Sequence, residues 1–336
     1  MVDARDDPPT PLPLSPTLVP IPHAEYAEYY FQRYGRQFPR HRLPHNLRNT
    51  PDSLQLPSVL PVDAAEMERR VVQHNLVSLA LHQHWFGPFR QHLTPPNNKV
   101  VLDIGSASGK WIEEVSEEPY QDVRFHGVEI VPLSPTEQTT HTFFEVYDFQ
   151  QERIRQADAS VDIIHARFQN FHILDWSAFV KDVARALKPG GLFMSGELDI
   201  ALESPDGEPL NAPATNQFYG QIQRLMRERG YTPDIGSLIP GLLQDISDPQ
   251  GVTLFTNVGS DVVTIPMNRN NPIVEQRELS TLAMECLDRL AISLRAFGLS
   301  TGQPQIEVDG IITGHRRELR RINAQMKYRI TWAERR

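Results

Sequence analysis

The 336-residue chain has a single cysteine, Cys286, so no internal disulfide can form and a reducing compartment is expected. It lacks an uninterrupted apolar run of about 20 residues, the length a membrane-crossing helix needs. The opening MVDARDDPPT lacks the basic and apolar stretches of a secretory signal. Surplus positive charge is also missing. Lys and Arg number 33 against 42 Asp and Glu, a net charge of -9, which argues against a phosphate backbone as partner. No internal repeat is visible. The expectation is a soluble cytoplasmic protein with neither nucleic acid nor membrane as partner.

Proline, by contrast, is dense at the start, at positions 8, 9, 11, 13, 16, 20 and 22. Each fixes φ and removes a donor, so residues 1–22 read as a disordered or polyproline tail. Residues 23–61 read as an aromatic arm carrying Tyr26, Tyr29, Tyr30, Phe31 and Tyr34, and 62–336 as one large domain. From Val62 to Phe86 Pro and Gly are absent and apolar residues recur near helical spacing, with Asp63 as N-cap and Glu66 as its capping-box partner.

An alternating series follows. KVVLDIG reads as a strand, GKWIEEVSEE as a helix, and VRFHGVEI and THTFFEVYDF as strands. VDIIHARF reads as a strand, DWSAFVKDVARALKPGG as a helix and GLFMSGEL as a strand. In that helix Trp176, Phe179, Val180, Val183, Ala184 and Leu187 draw one apolar stripe, stopped by Pro189-Gly190-Gly191. Such alternation predicts an α/β fold, a parallel sheet with helices on both faces. Further on, a helix is expected over 216–229, a strand near GVTLFTNV or DVVTIPM, a helix over 273–297 and a last strand in AQMKYRITWA.

In open α/β sheets ligands bind beyond the carboxyl ends of the strands. VLDIGSASGKW places Gly105 and Gly109 there, where glycine permits positive φ and a helix N-terminus offers free amides. Positions 105, 107 and 110 are Gly, Ala and Lys, so a GxGxxG dinucleotide turn is excluded, as is a Walker A loop. Ala107 adds only a methyl group, and Asp103 is placed to orient the loop's amides. Glu129 closes the next strand, where a carboxylate suits two free ribose hydroxyls. Asp148 and Phe149 close the one after, an acid for an exocyclic amine beside a ring for stacking. Together they describe an adenosine ligand that needs no pyrophosphate.

On DIGSASG, Glu129, Asp148-Phe149 and ALKPGG, residues 100–200 resemble a class I S-adenosylmethionine-dependent methyltransferase. More narrowly, VDIIHARFQNFHILDWSAFVKDVARALKPGGLFMSGELD is similar to a fungal group that includes the velvet-complex regulator of secondary metabolism. The likeness extends to YGRQF, MERRVVQHNL and RLAISLRAFGLS; Ala107, between Ser106 and Ser108, departs from the pattern. The resemblance implies a doubly wound, Rossmann-like seven-stranded sheet with helices on both faces. It also implies an N-terminal arm and a lid insertion near 203–245, whose Pro and Gly content suits a roof over the site.

Its implied cofactor is S-adenosylmethionine, bound by Asp103, Gly105, Ser106, Ala107, Gly109, Glu129, Ile130, Asp148, Phe149 and Arg167. The implied reaction is methyl transfer to an oxygen or nitrogen of a small molecule in fungal secondary metabolism. The alternative is a regulatory protein on this fold, acting through a protein partner in a nuclear complex. HARF stands where base-methylating relatives carry an Asn- or Asp-Pro-Pro-aromatic motif. His165 is the candidate general base, with Glu197 and Asp199 as others at strand ends. No metal is expected: His82 and His84, two apart in a predicted helix, point to opposite sides. Cys286 reads as a small core residue, and HRRELRRINAQMKYR as a solvated helix face.

Overall fold

Short strands rich in Val, Ile, Leu and Phe need cover on both faces, and the chain supplies it with intervening helices. In the computed structural model, which describes residues 21–40, 56, 58–95, 97–117, 120, 122–133 and 139–336, the alternation is present throughout. Nearly all of the Pro-rich tail lies outside the described residues.

A 3-10 turn at His23–Tyr29 leads into a hairpin of β1 (Tyr30–Arg33) and β2 (Arg36–Pro39). Then come α1 (Ala64–Leu81), α2 (Phe89–His92), β3 (Val100–Ile104), α3 (Lys110–Val115), β4 (Arg124–Glu129) and β5 (Thr142–Val146). Next are α4 (Phe149–Glu152), β6 (Val161–Arg167), α5 (Trp176–Ala186), β7 (Leu187–Leu198), α6 (Pro213–Glu228) and α7 (Ile235–Asp245). The chain closes with β8 (Phe255–Met267), α8 (Val274–Ser293), α9 (Arg295–Leu299), α10 (Gln305–Leu319) and β9 (Ala324–Arg335).

Seven strands make one sheet in the order β5-β4-β3-β6-β7-β9-β8. Strands β3 to β7 run parallel, but β9 pairs antiparallel with both β7 and β8. The expected parallel sheet is therefore corrected to a mixed one, because the final strand slots between its two neighbours from the opposite end. Successive residues face opposite ways. Val101, Ile163 and Met194 join one apolar layer with α1, α6 and α8, while Leu102, Ile164 and Phe193 join another with α5 and α7.

Local chemistry sets the helix ends. Asp63 caps α1 by accepting from the Glu66 amide at 3.1 Å, whereas the Glu66 carboxylate turns to Arg69 and Ser293 instead of completing a capping box. The helix stops at Leu81 because His82 takes a left-handed conformation, φ 55°, so the expected extension to Phe86 is not made. Leu187, the last residue of the predicted α5 stripe, instead begins β7. Both candidate strands after residue 250 contribute to β8, whose register shifts between Thr256 and Gly259.

The insertion near 203–245 is not one lid. Ile235, Ile239 and Leu243 of α7 are buried in the second apolar layer, beneath the sheet. Among the described residues no helix is long and apolar enough to cross a membrane.

Candidate active site

The turn after β3 lines the cavity with Gly105, Ser106, Ala107 and Ser108. Gly105, Ala107 and Gly109 have φ of 75°, 50° and 77°, so three of its five residues are left-handed. A side chain at Gly105 would collide with the Gln169 amide, which itself donates to the Ile104 and Arg167 carbonyls. The Gly105 and Ser106 amides both reach the Val128 carbonyl, at 2.9 and 3.0 Å, fastening the loop to β4. Gly127 of β4 has no room for a Cβ against Phe144 and the Ser106 hydroxyl. Two glycines thus let loop and strand meet backbone to backbone.

Glu129, at the end of β4, holds the loop's third amide: Ala107 N donates to Oε2 at 3.0 Å and Ile130 N to Oε1 at 2.8 Å. Arg70 of α1 reaches the same carboxylate at 3.4 Å. The expectation that Asp103 orients the loop amides is corrected. Its Oδ1 accepts instead from His165 Nδ1 at 2.8 Å, across the β3–β6 pair.

His165 is corrected too. The ring is fully buried, stacks on Trp111 with centroids 3.8 Å apart, and does not border the cavity. Burial lowers its pKa against the opposing pull of Asp103, so the neutral imidazole is a core group that pins Asp103 and not a base facing a ligand. Glu197 fails as a base for another reason. Its oxygens accept from the Gln169 and Asn170 amides at 2.8 and 3.1 Å, away from the cavity wall, and burial pushes the carboxyl up to about 8. Asp199 does border the cavity, but Arg329 bonds both its oxygens at 2.7 and 3.0 Å.

The cavity and its mouth together span about 1230 Å³ of space between atoms, open solvent included. Of the ten positions anticipated for a cofactor, Asp103, Gly105, Ser106, Ala107, Glu129, Ile130, Phe149 and Arg167 border it. Gly109 instead caps α3, and Asp148 caps α4, accepting from the Gln150 amide at 3.1 Å. The far wall is apolar, built from Leu198, Ile200, Leu287, Leu290 and Met326, with Tyr219 of α6 and Cys286 of α8. Cys286 is buried and its thiol is pushed upward by desolvation.

Helix α1 supplies a wall the sequence did not disclose: Arg69, Arg70, Gln73 and His74 all face the cavity. The aromatic arm contributes less than anticipated. None of Tyr26, Tyr29, Tyr30, Phe31 and Tyr34 borders the cavity; the Tyr30 hydroxyl donates to the Pro132 carbonyl at 3.3 Å, beside the Glu129 end. Phe38 and Leu56 anchor the arm against Ala296.

Because α1 ends early, His84 folds back so that its Nδ1 lies 2.8 Å from Glu114 Oε2, with His74 Nε2 at 2.6 Å from the same oxygen. These three donor atoms lie within 4.8 Å of one another, the spacing of a metal site. Arg167 Nη2, however, donates to His74 Nδ1 at 2.9 Å. A guanidinium can only donate, so Nδ1 is bare and Nε2 carries the hydrogen, leaving no lone pair there for an ion. The cluster is a hydrogen-bonded relay. The expected solvated face at HRREL is in part paired, Arg316 holding Asp288 at 2.7 Å.

Residues 80–233 match the model of a family described as a methyltransferase domain. The chain is 27% identical to the methyltransferase str3 of Strobilurus tenacellus over 221 residues, 64% of this chain and 72% of that protein. It is 26% identical to the methyltransferase pytC of Aspergillus terreus, covering 44% of each chain. It is also 26% identical to the secondary metabolism regulator laeA of Coprinopsis cinerea, over 42% of this chain and 35% of the regulator. Against those last two relatives the chain spans less than half their length. Among solved structures, phosphoethanolamine N-methyltransferase 2 of Haemonchus contortus aligns at 16% identity and a TM-score of 0.44, over 83% of this chain and 60% of that one. Residues 80–233, which hold the Gly105–Gly109 turn and Glu129 on the cavity wall, are thus similar to a methyltransferase domain over a little under half of the chain.

Proposed function

We propose that the protein transfers a methyl group from S-adenosylmethionine to an oxygen or nitrogen of a small molecule. One observation carries the reading: the Gly105–Ala107 loop, Glu129, Ile130 and Phe149 border one cavity at the carboxyl ends of the parallel strands. The residues fit the cofactor. Glu129 offers a carboxylate to paired ribose hydroxyls, Phe149 a ring to a base, and Gly105 a backbone that no side chain obstructs. Bound there, S-adenosylmethionine supplies a methyl group on a positively charged sulfur, activated before the protein acts.

The chain's own work is then to position the two partners and exclude water. Arg69, Arg70 and Gln73 cover the loop side from α1, while Leu287 and Leu290 of α8 cover the apolar side. The apolar wall suits an acceptor with a hydrophobic body. The relatives named methyltransferases in Strobilurus and Aspergillus support the reaction, and the relatives named secondary metabolism regulators support a place in fungal secondary metabolism. The likeness to a protein named a regulator supports a regulatory role as the second reading, for which we propose action through a protein partner in a nuclear complex. On the first reading the protein works in the cytoplasm.

The experiment is incubation of the purified protein with methyl-labelled S-adenosylmethionine and small-molecule extracts of fungal cultures. Label is expected in the low-mass fraction and should vanish with Glu129→Ala. Label confined to co-incubated protein, or none at all, would contradict small-molecule transfer.

A further inference from the structure

Three arginines border the cavity, and two of them are neutralised. Arg69 pairs with Glu66 at 2.7 Å, and Arg70 with Glu66 and Glu129 at 3.3 and 3.4 Å. Arg167 is different. Among the described residues no carboxylate stands within ion-pair distance of it, although it ends β6 on the cavity wall and is only partly exposed. A guanidinium withdrawn from bulk water without a counter-ion is costly, and the cost is offset when an anion enters.

The guanidinium is also held in place. Its Nη2 donates to bare Nδ1 of His74, whose Nε2–H reaches Glu114; Lys110 and His84 fix Glu114 in turn, at 3.1 and 2.8 Å. Burial, then the adjacent Arg167 charge, pushes His74 down to about 4, so the ring is neutral and does not repel the guanidinium. On its other side Arg167 lies 5.5 Å from the Phe168 ring centroid.

A second observation points the same way. The three strand-end groups expected to take a proton are all engaged: His165 in the core, Glu197 by two amides and Asp199 by Arg329. An acceptor that arrives ionised needs none of them.

We infer that Arg167 binds an anionic oxygen of the methyl acceptor, a carboxylate, enolate or phenolate on an apolar body, with His74 and Glu114 as positioning residues for its guanidinium. The inference rests on the proposed function. The step balances without a base. A lone pair on the anionic oxygen forms the new O–C bond, the C–S pair returns to sulfur, the two charges cancel and no proton moves. Leu198, Ile200 and Met326 keep water away, where the Arg167–oxyanion attraction is strongest.

The test is calorimetry with S-adenosylhomocysteine already present, titrating 2-naphthoate and its neutral analogue 2-naphthamide. Wild type should bind the carboxylate about tenfold more tightly than the amide. Arg167→Leu should lose that preference and Arg167→Lys keep part of it, both retaining S-adenosylhomocysteine binding within about threefold. Glu114→Gln and His74→Phe should shrink the preference while leaving the cofactor's affinity intact, which a merely structural role would not do. Loss of S-adenosylhomocysteine affinity in Arg167→Leu, with 5′-methylthioadenosine still bound normally, would assign Arg167 to the cofactor's carboxylate and overturn the inference. Equal binding of acid and amide by wild type also overturns it. So does turnover that survives Arg167→Leu but is abolished by His172→Ala, since His172 is the remaining imidazole on the cavity wall besides His74. Failure of wild type to bind S-adenosylhomocysteine at all would instead overturn the methyltransferase reading, and this inference with it.

Discussion

Asp103 and His165 face each other across β3 and β6, and the Asp103 carboxylate takes the His165 Nδ1–H at 2.8 Å with both side chains out of water. The acid near the end of β3, just ahead of the Gly105–Gly109 turn, is therefore anchored by an imidazole, which Trp111 covers from above at 3.8 Å. Removing the ring leaves a buried carboxylate without its partner and a void under the indole. His165→Ala should cost about 3 kcal/mol of stability, read by urea unfolding. His165→Gln should recover part of it, with the pH profile of methyl transfer unchanged in shape. Full stability of His165→Ala with turnover abolished would return His165 to the role of base.

Ala107 sits at φ 50° with its amide on Glu129. A left-handed non-glycine residue costs about 1 kcal/mol, partly balanced by the greater freedom glycine has in the unfolded chain. Ala107→Gly should therefore be neutral or stabilising by about 0.5 kcal/mol and bind S-adenosylhomocysteine at least as well as wild type. Ala107→Val, β-branched in a region such residues avoid, should weaken both stability and binding, measured by thermal denaturation and calorimetry. A loss of binding in Ala107→Gly would show that the methyl group is itself a contact.

Glu197 imposes a pH dependence on stability. Burial, opposed by the Gln169 and Asn170 amides, raises it from 4.5 to about 8 in the folded chain. Below 4.5 both states keep the proton and its contribution is full. As pH climbs toward 8 the unfolded chain releases the proton and the native one does not, so stability falls by up to about 1.4 kcal/mol per pH unit. Glu197→Gln cannot ionise and should flatten that slope. Denaturation midpoints across this window check it, and parallel slopes for the two proteins would contradict the burial argument.

What could be read from the sequence was what local rules govern. Gly105, Gly109 and Glu129 were legible because positive φ and strand-end chemistry follow from neighbours in the chain. His165 misled because β6 is buried on both faces, and nothing local distinguishes a core imidazole from one facing a ligand. Arg69, Arg70, Gln73 and His74 went unread because tertiary packing alone brings α1 over the loop. Their i, i+1, i+4, i+5 spacing marks one helix face, a signal that was present. The helix α10 shows buried Val308, Ile312, His315 and Leu319 at helical spacing, obscured by Gly310 and Gly314. The direction of β9 had no local signal, since it depends on where the preceding helices leave the chain.

The most direct measurement is calorimetric titration of S-adenosylhomocysteine into wild type and Glu129→Ala. Micromolar binding by wild type is expected, weakened at least about tenfold in the variant, because the ribose loses its carboxylate and the Ala107 amide its acceptor. Equal affinity of the two proteins, or no binding by either, would contradict the assignment of this cavity to the cofactor.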